Sequence, residues 1–286
     1  MKLKREKLLF KIVTCDLDET LLKKDGSISH ENILAIKRII KQGIKFIPNT
    51  GRSFLSIENL LKTLNLFQKS GQYVISYNGS AVVENKNNKV IINHQMPYEE
   101  AKKVFEIALA FNRKDVQIYT LNNLYIYKPL KSDEVYLRTR GVKYHKIFKK
   151  DFYPFKNKKI VKIIAANPDK RKRLKLRSII EKKFLNRINV TFSSNLYTEI
   201  NHYKVNKGKA VLDLAKRLGI KKNQIIAIGD NNNDLPMLEN VGLPISVSNG
   251  IPIVKKVAKF VTKNNYEKGV AEAIFHFILQ PSTDKN

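Results

Sequence analysis

One cysteine, Cys15, serves a chain of 286 residues, so neither a disulfide framework nor a cysteine-rich zinc site is available. It lies inside an apolar run and reads as a small core residue rather than a nucleophile. The five histidines, His30, His94, His145, His202 and His276, are dispersed and form no obvious ligand set. No apolar run approaches the roughly 18 residues that span a bilayer. The charged start, residues 1–7, leads into a short apolar stretch broken by Lys11, with no small-residue cleavage site behind it. These absences predict a soluble, cytoplasmic protein without a membrane partner. No internal repeat or low-complexity linker stands out.

Acidic residues are also scarce, at 25 against 54 Lys and Arg, for a formal net charge of +29. That surplus has three readings. It is a compositional bias that coats solvated faces with lysine, a field that gathers small phosphorylated substrates, or the footprint of a nucleic-acid partner. The 43% hydrophobic content is ordinary for a globular protein. The length suffices for one large or two moderate domains.

The run Leu8 to Cys15 has the length and β-branched content of a buried strand, and it ends in two carboxylates, Asp16 and Asp18. Side chains two apart on an extended chain point the same way. Both acids therefore face one spot at the strand's C-terminal tip, the edge where open α/β sheets bind ligands. Taken alone the pair reads first as a turn, with a site for a divalent cation as the other reading. Two more strand tips carry polar clusters: Thr50-Gly51-Arg52, and Asp230 with Asn233 and Asp234. Lys207 opens a helix in the same layer. Oxygen-rich ligation without clustered His or Cys favours Mg²⁺ over zinc. Thr50, Gly51 and the following helix start suit an anion.

Strand and helix alternate from residue 8 to about 84, with Tyr73 to Ser76 as a third strand. The alternation predicts a doubly wound parallel α/β sheet. The rhythm then changes. Tyr98 to Asn112 and Asp133 to Arg140 read as helices, Asp115 to Tyr127 as a hairpin over Asn122-Asn123, and Asp169 to Lys183 as a basic helix. The expectation is an inserted α+β unit over 85–194, with the core formed by 1–84 and 195–286 and the βα rhythm resuming at Thr198.

The ordered motifs Asp16-Leu-Asp-Glu-Thr-Leu-Leu22, Asn49-Thr-Gly-Arg-Ser53, Val205-Asn-Lys-Gly-Lys209 and Gly229-Asp-Asn-Asn-Asn-Asp-Leu-Pro-Met237 resemble those of the haloacid dehalogenase superfamily. The match is to its Cof-type (IIB) phosphatases, whose large α/β cap fits the insertion. The resemblance spans essentially the whole chain. It implies that Asp16 is the nucleophile toward phosphorus and Asp18 the general acid and base. It further implies that Mg²⁺ is held by Asp16, the Asp18 backbone carbonyl and Asp230. Phosphoryl oxygens would be bound by Thr50, Gly51, Lys207, Asn233 and the Leu17 backbone, while Asp234 orients the metal ligands or Lys207. Arg52 and Asn78 are possible substrate contacts. One departure is Glu19, where the family often has Gly; its presence suggests that glycine is not obligatory for the local backbone. Another is Gly250, which stands for a common Ala.

The reading is a Mg²⁺-dependent phosphatase of small phosphorylated metabolites, working through an aspartyl-phosphate. The alternatives are a phosphosugar mutase of the same superfamily and a basic nucleic-acid-binding protein. The latter draws on Tyr144, Phe148, Phe152, Tyr153 and Phe155 among the lysines of the insertion. Basic groups on the insertion's inward face are expected to suit a second anionic group on the substrate. Oligomeric state is left open.

Overall fold

A computed structural model describes residues 10–111, 115–139, 141–193 and 195–280. The expected strand start at Leu8 and the helix ends at Asn112 and Arg140 lie outside the described residues, as does the expected cap end at 194.

The first elements are β1 (Ile12–Cys15), α1 (His30–Lys41), β2 (Lys45–Pro48), α2 (Glu58–Thr63), β3 (Tyr73–Ser76), β4 (Ala81–Glu84) and β5 (Lys89–Asn93). Next come α3 (Tyr98–Phe111), β6 (Val116–Thr120), β7 (Leu124–Tyr127), α4 (Lys131–Thr139), β8 (His145–Ile147), β9 (Ile160–Ala166), α5 (Lys170–Phe184), β10 (Ile188–Ser193) and β11 (Tyr197–His202). The last are α6 (Lys207–Arg217), β12 (Ile225–Gly229), α7 (Leu235–Leu238), β13 (Leu243–Ser246), α8 (Pro252–Val257), β14 (Phe260–Val261) and α9 (Gly269–Ile274).

The core is a five-stranded parallel sheet ordered β14-β13-β12-β1-β2. Strand periodicity sends alternate side chains to opposite faces. Val13, Cys15, Ile226 and Ile228 pack with Ile36 and Ile39 of α1 and Ile274 of α9. Ile12, Ile47, Ile225 and Ala227 pack with Val211 and Leu214 of α6, Met237 of α7 and Val254 of α8. Two apolar faces covered by helices make the sheet doubly wound, as the alternation predicts. Each such aliphatic side chain, fully buried, contributes roughly 1.5–3 kcal/mol. In α1 the Ser29 hydroxyl caps the start by accepting from the Asn32 N–H, and Ala35, Ile36 and Ile39 form the buried stripe.

Two strands sit differently from expectation. β3 belongs to a separate antiparallel sheet, β3-β4-β5, and touches the core sheet through one parallel bridge, Asn49 to Ile75. β11 does not resume the βα rhythm. It runs antiparallel between β10 and β9 in a six-stranded sheet ordered β10-β11-β9-β6-β7-β8. The expected divisions at 84 and 195 thus fall inside hydrogen-bonded units, since β5 pairs with β4 and β11 with the inserted sheet. An isolated strand does not announce its partners; long-range pairing decides them.

α3 and α5 cover one face of the six-stranded sheet, burying Val104, Phe105, Leu176 and Ile180 against Ile118, Ile163 and Ile200. The opposite face carries Gln117, Tyr119, Lys162, Ile164 and Glu199, the intervening residues of β6, β9 and β11, and looks onto the tips of the core strands.

Candidate active site

β1 and β12 lie side by side at the centre of the core sheet, so Asp16 and Asp230 leave it at adjacent tips. The loop after β2 contributes Thr50 to Arg52, and the N-terminus of α6 contributes Lys207. The Asn206 side chain starts α6 by accepting from the Lys209 N–H at 2.7 Å. Gly208 lets that helix end approach α7: a Cβ there would come 1.9 Å from the Pro236 carbonyl oxygen. Only glycine fits such an approach, and it delivers Lys207 to the carboxylates.

Lys207 is fully buried, and its Nζ donates to Asp16 Oδ1 at 2.5 Å and to Asp234 Oδ1 at 2.7 Å. The other Asp234 oxygen accepts the N–H groups of Asp230 and Asn231 at 2.9 and 3.0 Å. Asp234 thereby braces the turn after β12 and holds Lys207 in line. Asp230 Oδ1 accepts the Thr20 hydroxyl at 2.6 Å. Asp16, Asp230 and Asp234 each place an oxygen within 4.8 Å of the others, and all three are buried. Burial raises the Asp16 carboxyl to about 7, with Asp234 and Asp18 adding to the rise and Lys207 opposing it. Burial, then Asp16 and Asp234, raises Asp230 to about 8. For Lys207, burial alone would favour the neutral amine, but Asp16 and Asp234 outweigh it and raise its pKa.

Three buried acids against one lysine leave a surplus of negative charge. All the donors are oxygens. That combination fits a hard divalent cation of the Mg²⁺ type. Asp16 and Asp230 retain carboxylate oxygens for it, whereas both oxygens of Asp234 already accept hydrogen bonds.

Asp18 lines the cleft, with its side chain 46% exposed, and the Arg52 guanidinium grips it. Nε donates to Oδ2 at 2.8 Å, and Nη2 donates to Oδ1. Arg52, expected as a substrate contact, is thus engaged with Asp18 while still bordering the cleft. The Leu17 carbonyl accepts the N–H groups of Thr20, Leu21 and Leu22, which closes a tight turn under the acids. Glu19 sits in that turn at φ +60°, the left-handed region that favours glycine. The backbone there does favour glycine, and Glu19 tolerates the conformation. Its carbonyl accepts the Asn249 side chain at 2.7 Å.

Thr50 is buried, and its hydroxyl oxygen accepts the Arg52 N–H at 3.1 Å. The Gly51 N–H has no protein partner among the described residues. Gly51 and Asn233 line the cleft. Asn78 does not; it is buried, and its Nδ2 donates to Glu199 Oε2 at 2.8 Å.

The cleft between the strand tips and the inserted sheet holds about 640 Å³. Its far wall offers Gln117, Tyr119, Asp133, Ser193 and Tyr197 beside Ile164 and Phe192. Among the described residues this wall is not basic, contrary to expectation; the one cation there, Lys162, is bonded to Glu199 at 3.0 Å and to the Gly51 carbonyl at 2.8 Å. The free lysines near the cleft, Lys23 and Lys24, are on the core side. The aromatics of 144–155 divide: Phe152 and Phe155 are core residues, whereas Phe148 and Tyr153 are exposed.

Sequence reasoning missed Thr20, Lys162 and Glu199. A signal for Lys162 was available, because a lone charge in an apolar strand such as Ile160–Ala166 is seldom buried unless paired.

The profile of the haloacid dehalogenase-like hydrolases matches residues 13–274. The chain belongs to that family. This hydrolase is 31% identical to YxeH of Bacillus subtilis over 276 residues, covering 95% of this chain and 99% of that protein. It is 30% identical over 285 residues to YwtE of Bacillus subtilis, a 5-amino-6-(5-phospho-D-ribitylamino)uracil phosphatase, covering 91% and 96%. A haloacid dehalogenase-like hydrolase from Bacteroides thetaiotaomicron superposes with a TM-score of 0.81 at 25% identity, covering 93% of this chain and 99% of that one. The hydrolase is of the phosphatase kind. No helix among its described residues is long and apolar enough to cross a membrane.

Proposed function

We propose that this hydrolase removes phosphate from small phosphorylated metabolites through a phosphoryl-Asp16 intermediate. The observation that carries the reading is the buried Asp16–Lys207–Asp234 chain, which presents one carboxylate to a cleft where Asp18 and the Gly51 N–H converge. An Asp16 oxygen attacks phosphorus as the ester P–O bond breaks, and Asp18 gives a proton to the departing oxygen. Asp18 then takes a proton from water. That water attacks the same phosphorus, releasing orthophosphate and restoring Asp16. Lys207, the Thr50 hydroxyl, the Gly51 and Leu17 backbone and Asn233 hold the phosphoryl oxygens in this reading. Asp16, Asp230 and the Asp18 backbone carbonyl are the groups that would hold Mg²⁺, which when bound supplies charge neutralisation between carboxylate and phosphate.

The far wall supports a leaving group that is uncharged and rich in hydroxyls, because it offers phenols, an amide, a hydroxyl and a carboxylate beside an apolar strip. That is the kind of molecule in YwtE's name. We take residues up to 93 and from 203 as the catalytic core, and 94–202 as the cap that sets specificity.

The test is Asp16→Asn, assayed with an aryl phosphate. Loss of turnover in a variant that still melts cooperatively is expected, and retained turnover overturns the assignment. Release of free phosphate, rather than transfer to a second hydroxyl, separates a phosphatase from a phosphosugar mutase.

A further inference from the structure

Lys162 and Glu199 lie on the cap sheet, far in sequence from the strand-tip motifs, yet both are buried and tied to one of them. Lys162 Nζ donates to the Gly51 carbonyl at 2.8 Å and to Glu199 Oε2 at 3.0 Å, and lies 4.8 Å from the centre of the Tyr119 ring. Glu199 Oε2 also accepts Asn78 Nδ2 at 2.8 Å, and Oε1 accepts the Ser193 hydroxyl at 2.5 Å. The backbone N–H of the same Asn78 donates to the Thr50 carbonyl at 2.9 Å.

The Gly51 N–H therefore lies between two restrained carbonyls. The peptide unit is planar, so holding the Thr50 carbonyl aims the Gly51 N–H in the opposite direction. Holding the Gly51 carbonyl fixes the next plane, whose Arg52 N–H is tied to the Thr50 hydroxyl oxygen. A Cβ on Gly51 would come 3.0 Å from Asn78 Oδ1, so the loop and the Asn78 side chain are in close contact as well.

We propose that Lys162 and Glu199 are positioning residues for phosphate: the cap sheet, through this ion pair and Asn78, holds the Thr50–Gly51 loop with its N–H aimed at the anion. Phosphate affinity then depends on a cap residue that need not touch phosphate. The inference rests on the phosphatase reading above. It makes the cap part of the phosphate site as well as the wall that meets the leaving group.

The experiment measures the Ki of inorganic phosphate against an aryl phosphate, together with kcat and KM, for Lys162→Met, Glu199→Gln, the double variant and Lys162→Arg. Lys162→Met is expected to raise Ki and KM together by about 10-fold or more, the scale seen when a group supporting a ligand is lost. Lys162→Arg keeps a donor for both oxygens and is expected to stay within about 3-fold of the parent. The double variant leaves no unpaired buried charge, so it provides a folded test if Lys162→Met melts too low to assay. A folded double variant, or a folded Lys162→Met, whose phosphate Ki lies within about two-fold of the parent overturns the proposal. Asp16→Asn is run alongside. If it is inactive while the Lys162 variants bind phosphate normally, the positioning role fails and the phosphatase reading stands. If it is active, the reading of the site itself fails.

Discussion

Arg52 holds Asp18 through both of its carboxylate oxygens, and the two residues come from loops that follow adjacent strands. The fork is a bidentate guanidinium–carboxylate contact. In the role proposed for Asp18, this clamp would have to loosen as substrate enters. Both side chains retain solvent contact, so the pair adds no more than about 1 kcal/mol to stability. Arg52→Ala is expected to leave the melting temperature nearly unchanged. Asp18→Asn is expected to cost about 10²–10⁴-fold in turnover. The loss should be larger for an alkyl than for an aryl phosphate, because a poor leaving group needs the proton more. Equal losses on the two esters would exclude Asp18 as the acid.

Lys207→Met removes the one cation between Asp16 and Asp234 while keeping the volume of the side chain. Two buried carboxylates then face each other without compensation, at a cost of about 3–5 kcal/mol. Urea unfolding of the metal-free protein is expected to show the unfolding free energy fall by that amount.

Thr20→Val keeps the shape of the side chain but removes the hydroxyl that donates to Asp230. The expected loss is about 1–3 kcal/mol from the buried oxygen left without its donor. A rise of about 10-fold in the Mg²⁺ concentration for half-maximal activity should accompany it. Titration of activity with Mg²⁺ reads the second effect directly.

The pH dependence of stability follows from Asp16 near 7 and Asp230 near 8. Both values exceed the unfolded carboxylate value of about 3.9. Between these limits the folded protein binds more protons than the unfolded chain, so stability declines as pH rises. The stabilisation from these two groups is full below about pH 4 and lost by about pH 8. Glu199 acts in the other direction: burial opposes its ionisation, but Lys162, Ser193 and Asn78 outweigh burial and lower its pKa. Melting curves of the metal-free protein should fall from pH 5 to pH 8, and the rise on adding Mg²⁺ should be larger at pH 8. A rise equal at both pH values would show that the cation does not bind these carboxylates.

Glu19→Gly relieves a left-handed residue at φ +60° but adds freedom to the unfolded chain, so the net change is expected within about 1 kcal/mol. Glu19→Val, with a β-branched side chain in the same conformation, is expected to lose more than that. Thermal melts of the two variants check the sign.

The catalytic layer was legible because each of its parts follows an apolar run or opens a helix, so period and position suffice to place it. Asp16, Thr50 and Asp230 emerge at neighbouring tips for that reason. The partners of β11 were not legible. Tyr197 to His202 reads as a strand in either sheet, and only pairing with β9 and β10 assigns it to the cap. Glu199 lies on that strand, so its tie to Lys162 follows only from the same pairing. The inward face of the cap was misread for a related cause. Net charge is a property of the whole surface, whereas the face of each lysine depends on a register that β6, β9 and β11 settle together.

β1 is complete once its first neighbour β2 exists, but its other neighbour, β12, lies more than two hundred residues downstream. During translation the chain carries Asp16 through nearly the whole of its synthesis before Lys207, Asp230 and Asp234 emerge from the ribosome. The cap, made of consecutive segments, can assemble in the interval. A nascent chain stalled before residue 207 would hold Asp16 without the lysine that pairs with it in the finished fold.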